Sequence, residues 1–325
     1  MKKLRRYLRL FEIISPVYTF GMVGIIFLIL FFTLGKFFYR PNSQIAAPST
    51  AIPSAFSKLD LGARAVYVYD MINYRELFSR NGDAQLPLAS LTKIMMAVTA
   101  LSLLPDSTVV TVNSAFLSSE GDSGLYGNER WRFKDLLDLT LLESSNDGAN
   151  AIAAVAGAVS RGGVPDDWGR EQFVAIMNKK AVELGLTQTY FLNPTGLDES
   201  NFLSGGYGSA RDIATLFSYA ISAYPMMFEA TQYENREFNS LSSIKHRVKN
   251  TNTFVSKIPS LLGSKTGYTD LAGGNLAIAF NAGLNRPIVI SVLGSTEEGR
   301  FEDAEKLVWA TLDYLKVNQE SGIRN

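Results

Sequence analysis

The 325-residue chain contains no cysteine and a single histidine, His246. The first absence excludes disulfides, thiolate catalysis, iron–sulfur clusters and cysteine zinc sites. The second argues against a zinc hydrolase, which normally uses two or more imidazoles, and leaves any serine triad resting on His246 alone. Net charge is missing as well, because 31 lysines and arginines face 31 aspartates and glutamates. Lys2, Lys3, Arg5, Arg6 and Arg9 crowd the first ten residues, so the remainder carries 26 basic against 31 acidic side chains, or −5. Phosphate recognition needs clustered positive charge, and the only basic cluster adjoins an apolar run, so no nucleic-acid partner is expected. What the chain has in quantity is apolar surface, 46% hydrophobic and 11% aromatic. That is ordinary for one or two globular domains and too apolar for a disordered chain.

No side chain between Glu12 and Lys36 is charged, and Ile25 to Phe32 is an unbroken apolar succession. At about 1.5 Å per residue this interval matches the ~30 Å hydrocarbon layer of a bilayer. A cleaved signal peptide is the rival reading, but the run exceeds a usual leader core and no clean small-x-small site follows it closely. The expectation is one uncleaved transmembrane anchor over 16–38, after a basic cytoplasmic segment, 1–15. The charge asymmetry around the span places the rest of the chain outside the cytoplasm, on a single-pass membrane protein. A Pro/Ser/Ala linker follows over 39–56, then a globular domain over 57–318 and a polar tail, 319–325.

Within the globular part, Ala65 to Asp70 and Arg75 to Ser79 read as a β-hairpin. Ser90 opens a run with Leu91, Ile94, Met95, Val98 and Leu101 at helical spacing, which predicts an amphipathic helix. Residues 133–142, 147–159 and 167–184 also read as helices. Asn275 to Asn281 and Pro287 to Leu293 are β-rich runs around a turn, and Arg300 to Leu315 reads as a last helix. Strands at both ends of a helical middle predict an α+β fold, one sheet completed by the two ends with a helical subdomain inserted.

Three signatures follow in order: Ser90-Leu-Thr-Lys93, Ser144-Ser-Asn146 and Lys265-Thr266-Gly267. Ser-x-x-Lys alone arises about once by chance at this composition, and Ser242 with Lys245 forms a second copy. Read alone it is a helix cap with an exposed lysine, and Ser144-Ser-Asn146 alone is an interhelix turn with an N-cap. Together they describe a nucleophile and its activation. A serine hydroxyl needs a base, and Lys93, three residues on, shares its helix face. A lysine near its usual pKa of about 10.4 is protonated at neutral pH, but burial, the helix N-terminus and a second ammonium from Lys265 disfavour that form. Ser144 can then relay a proton to the leaving group, Asn146 can hold a substrate amide, and Lys265 and Thr266 can bind a terminal carboxylate. Gly267 lets a substrate backbone lie against an edge strand. His246, in the polar stretch KHRVKN, is expected in a surface loop without a catalytic role.

The chain resembles the low-molecular-weight penicillin-binding proteins, the D-alanyl-D-alanine carboxypeptidase family of serine peptidases, over nearly all of 60–316. The stretches that carry the resemblance are LPLASLTKIMMAVTAL, LLESSNDGANAIA, FLNPTGLDESN with GSARDIA, NTNTF and GSKTGYTDLAGGNLAIA. It implies a serine β-lactamase/DD-peptidase-like fold, an antiparallel sheet flanked by helices. It implies that Ser90 is acylated with Lys93 as base, that Ser144 and Asn146 form the second catalytic element, and that Lys265, Thr266, Gly267, Tyr268, Thr269 and Arg300 bind substrate. The backbone N–H groups of Ser90 and Tyr268 would form the oxyanion hole. The implied partners are peptidoglycan stem peptides, with β-lactams as inhibitors, and no cofactor or metal is implied. Ser145 stands where the family usually has glycine, an expected stiffening or narrowing of that loop. Many relatives append a C-terminal β-domain and an anchoring helix, whereas this chain is expected to anchor at its N-terminus.

The leading expectation is a D-Ala-D-Ala carboxypeptidase working through an acyl-enzyme on Ser90. A DD-endopeptidase on peptide cross-links shares every catalytic residue, and a membrane-tethered wall-binding protein without turnover is the alternative from another class. A class A β-lactamase is disfavoured, because no Glu-x-x-Leu-Asn element lies between the second and third signatures.

Overall fold

Alternate residues of a strand face opposite sides, so a strand apolar at every position must be covered on both faces. Three strands buried along most of their length form the centre of this protein. A computed structural model describes residues 53–117, 121 and 123–320. The segments expected at 1–15 and 16–38, most of the linker and the end of the tail lie outside them. In chain order the elements are β1 (Ala65–Asp70), β2 (Arg75–Arg80), β3 (Leu86–Pro87), α1 (Thr92–Leu103), β4 (Val109–Thr111), β5 (Arg130–Arg132), α2 (Phe133–Glu143) and α3 (Asn146–Arg161). There follow α4 (Asp167–Glu183), β6 (Tyr190–Phe191), β7 (Gly206–Gly208), α5 (Ala210–Ala223), β8 (Asn235–Asn239), β9 (Lys245–Lys249), β10 (Leu261–Thr269), β11 (Gly273–Asn281), β12 (Pro287–Ser295) and α6 (Gly299–Glu320).

The main sheet is antiparallel with order β10-β11-β12-β1-β2. Val68 lies opposite Ile290, which lies opposite Ile278, and Val66, Val292 and Leu276 form the next row. These rows face α6 through Phe301, Leu307 and Val308. Ala65, Tyr67, Ala277, Ala279, Val289 and Leu293 face the other way, toward the helical part of the core. The expected sheet made by both ends of the domain is present, with β10 as a free edge beside the helices.

Several elements differ from the sequence reading. From Thr92 to Ala100 every residue of α1 is buried, so the helix is not amphipathic. It runs through the middle of the helical subdomain, with α3, α4 and α5 around it and the Ser90 turn at its start. Helix α5 and the β8–β9 hairpin have no counterpart in that reading. Phe56, placed in the linker, is 2% exposed and stacks on Phe78 at 4.9 Å, so the core reaches into that segment. Helix α6 continues past Leu315 to Glu320. Among the described residues no helix is long and apolar enough to cross a membrane.

Candidate active site

Ser90 sits in a 3-10 turn, Ala89–Leu91, that leads into α1. Neither helix start uses a side-chain cap, so the Ser90 hydroxyl is not consumed as a cap acceptor. Ala89 before it adopts φ +48°, a left-handed conformation that is costly for a residue with a Cβ and persists only when its surroundings impose it. Gly196 is one of those surroundings. With φ +82°, a Cβ there would collide with the Ala89 carbonyl.

Lys93 is fully buried. Its Nζ donates to Ser90 Oγ at 3.0 Å, to Asn146 Oδ1 at 2.7 Å and to the Thr195 carbonyl at 2.7 Å. Burial lowers its pKa from 10.5 to about 7, so both forms are populated near neutrality. The partners differ in a way that matters when the proton leaves. Two are oxygens that can only accept, and a neutral amine has two N–H donors for them. Its lone pair is left to Ser90, the one partner with a proton to give.

The second element is the joint between two helices. Ser144 ends α2 with φ +68°, and Ser145 caps α3 by accepting from Gly148 N at 2.9 Å. This two-residue joint aims its neighbours at different lysines. Asn146 accepts from Lys93, while Ser144 Oγ accepts from Lys265 Nζ at 2.8 Å. Lys265 also donates to the Thr266 carbonyl at 2.7 Å, and Thr266 Oγ1 donates to Thr251 Oγ1 at 2.6 Å. Burial, then the charges of Lys93 and Arg300, hold the Lys265 pKa well below the usual lysine value.

The third element lies on the edge strand β10 and touches the Ser90 turn. A Cβ on Gly267 would stand 3.0 Å from both the Ser90 backbone nitrogen and the Leu88 carbonyl. Arg300, in the first turn of α6, donates from Nη1 to the Gly267 carbonyl at 2.8 Å. Its Nε is buried and unpartnered among the described residues. None of Lys93, Lys265 and Arg300 forms an ion pair among the described residues, and the Arg300 guanidinium supplies the cleft with a positive charge that suits an anion. Tyr268 projects into solvent, 46% exposed. Thr269 donates its hydroxyl to Asp198 at 3.1 Å and accepts from Ala272 N, so that side chain closes the turn after β10 instead of facing the lysines.

A sequence model of D-alanyl-D-alanine carboxypeptidase matches residues 52–297. The chain belongs to the D-alanyl-D-alanine carboxypeptidase family. It is 29% identical over 238 residues to D-alanyl-D-alanine carboxypeptidase DacB2 of Mycobacterium tuberculosis, covering 73% of this chain and 77% of that one. It spans about two thirds of the Bacillus subtilis carboxypeptidase DacF, 66% of its length, at 29% identity over 80% of this chain. Among solved structures, penicillin-binding protein D2 of Listeria monocytogenes in its ampicillin-bound form matches with a TM-score of 0.63 at 26% identity. That match covers 78% of this chain and 98% of the other. Some relatives carry the name D-alanyl-D-alanine endopeptidase.

Four features of this family member are absent from the sequence reading or differ from it. Thr195 acts through its carbonyl and Thr251 through a second hydroxyl, while Asp198 braces Thr269. The Asn-Pro-Thr-Gly turn and the Asn-Thr-Asn stretch were the available signals, although neither identifies a partner. The fourth is His246, which is not in a surface loop. It lies on β9, 7% exposed, with Nε2 at 2.7 Å from Glu129 Oε1 and its ring 5.0 Å from Trp131.

Proposed function

We propose that this protein is a serine-type D-Ala-D-Ala carboxypeptidase that removes the terminal D-alanine of peptidoglycan stem peptides. Lys93 takes the Ser90 proton as the serine oxygen attacks the carbonyl carbon of the penultimate D-alanine. The oxyanion is held by the backbone N–H groups of Ser90 and Tyr268, each of which is worth about 3–4 kcal/mol in comparable sites. The C–N bond then breaks, Ser144 passes its proton to the leaving amine and is reprotonated at the expense of the Lys93 ammonium, and D-alanine departs with Lys93 returned to the neutral amine. Water, deprotonated by Lys93, cleaves the ester and restores Ser90. Lys265, Thr266 and Arg300 bind the free carboxylate, and Gly267 lets the peptide lie along β10.

The observation that carries this reading is the buried Lys93 amine, 3.0 Å from Ser90 Oγ, with its pKa lowered to about 7 by burial. β-Lactams would acylate the same serine and remain bound. The anchor over 16–38 would tether the enzyme to the bacterial cytoplasmic membrane with its catalytic domain outside. That assignment rests on run length and flanking charge, and protease accessibility in spheroplasts tests it.

The deciding experiment is mass spectrometry of muropeptides incubated with the detergent-solubilised chain and with Ser90→Ala. Loss of one alanine that depends on Ser90 is the expected result. Cross-link cleavage would point to the endopeptidase reading, which the names of two relatives favour. No Ser90-dependent change would leave a wall-binding role.

A further inference from the structure

Ser145, at the position the family resemblance gives as glycine, is 2% exposed. Its Oγ lies 2.6 Å from Ser123 Oγ, also buried. Ser123 belongs to the segment between β4 and β5, and its Oγ is 3.4 Å from Asp147 Oδ2. The proton directions close consistently. Gly148 N–H donates to Ser145 Oγ, and with Ser123 giving its proton to the Asp147 carboxylate, Ser145 is left as the donor to Ser123. The same segment brings Gly121 alongside the active site, where a Cβ would stand 3.6 Å from Asn146 Nδ2. A glycine at 145 could not make this link. The hydroxyl therefore ties the β4–β5 segment to the joint that carries Ser144 and Asn146.

We propose that Ser123 is a positioning residue that, through Ser145, holds Asn146 against Lys93 and so sets the proton affinity of the base. This rests on the reading of Ser90 and Lys93 given above. An acceptor 2.7 Å from Nζ stabilises the ammonium more than the amine, so loosening Asn146 moves the Lys93 titration to lower pH. Ser123→Ala removes the link and leaves the Gly148 cap of α3 intact.

The test uses the full chain, with Lys93 followed by NMR of 13Cε-labelled lysine and acylation followed by mass spectrometry with penicillin. Ser123→Ala is expected to shift the Lys93 titration to lower pH, and to move the pH profile of acylation to lower pH with it. Ser123→Thr restores both, and Ser123→Ala adds nothing in a Ser145→Gly background. A Lys93 titration that is unchanged in Ser123→Ala overturns the proposal, whether the rate or the melting temperature falls or not. A wild-type chain that forms no adduct on Ser90 overturns the functional reading instead and leaves the titration comparison intact.

Discussion

Gly267 and Ser90 are in such close approach that one added carbon on Gly267 would stand 3.0 Å from the Ser90 backbone nitrogen. Strand β10 and the Ser90 turn come from residues far apart in sequence, and the missing side chain lets their backbones meet. The N–H of Ser90 and the N–H of Tyr268, the next residue along β10, are the two groups proposed to hold the oxyanion. The width of that hole is therefore fixed by the absence of a Cβ at 267.

Gly267→Ala should then cost far more activity than stability. The methyl must push β10 off the turn, since the facing atoms are backbone, and losing one oxyanion donor costs about 100- to 1,000-fold in turnover. Overpacking of this kind costs about 1–3 kcal/mol of folding free energy. Acylation kinetics with penicillin and thermal unfolding separate the two. A near-normal acylation rate would show that the hole lies elsewhere.

The pH dependence follows from Lys93. With its pKa lowered by burial to about 7, the neutral amine needed as base is lost as pH falls through that value, so acylation should rise with pH around a midpoint near 7. Stability shifts in the same direction. An unfolded lysine keeps its proton up to about 10.4, so above pH 7 the unfolded state binds more protons and folding is increasingly favoured toward pH 10. Lys93→Met should flatten that rise in urea titrations at pH 7, 8 and 9. Lys93→Arg, whose guanidinium does not deprotonate, should leave acylation undetectable at every pH.

Much of this was legible in the sequence, and the reasons it stopped are physical. Strands β11 and β12 announced themselves because Ile278, Ile290 and their neighbours are apolar at successive positions, as two-faced burial demands. The three signatures were legible because chemistry restricts residue type at Ser90, Lys93, Asn146 and Lys265. Thr195 was not, because it contributes a carbonyl that any residue could supply. Helix α1 read as amphipathic because its apolar spacing says which face is buried most and is silent about small and polar residues such as Thr92 and Thr99, both fully buried. The β8–β9 hairpin went unread because Lys245, Arg247 and Lys249 face solvent, while Phe238, His246 and Val248 are the buried residues of its two strands.

Arg300 offers a test of carboxylate recognition. Its Nη1 supports the Gly267 carbonyl, and its buried Nε has no partner among the described residues. Arg300→Gln should lower kcat/KM by about 10- to 100-fold on a peptide ending in a free carboxylate, the range for a charged hydrogen bond. The same peptide with an amidated C-terminus should lose much less. Equal losses on the two peptides would reduce Arg300 to a brace for β10.

His246 should be a stability residue and nothing more. Its Nε2 is 2.7 Å from Glu129 Oε1, Glu129 is 2% exposed, and the other carboxylate oxygen accepts from Tyr126 N at 3.0 Å. Removing the imidazole leaves a buried carboxylate with one backbone donor and opens space beside Trp131. Leaving a buried acceptor without its donor typically costs about 1–3 kcal/mol. His246→Ala should therefore lower the urea midpoint strongly, while the folded fraction still forms the penicillin adduct on Ser90 at the normal rate. A histidine acting as the base would give the opposite pattern, with acylation abolished in a chain of ordinary stability. The pairing argues against that outcome, because Lys93 Nζ donates to Ser90, Asn146 and Thr195, whereas the imidazole pairs with Glu129.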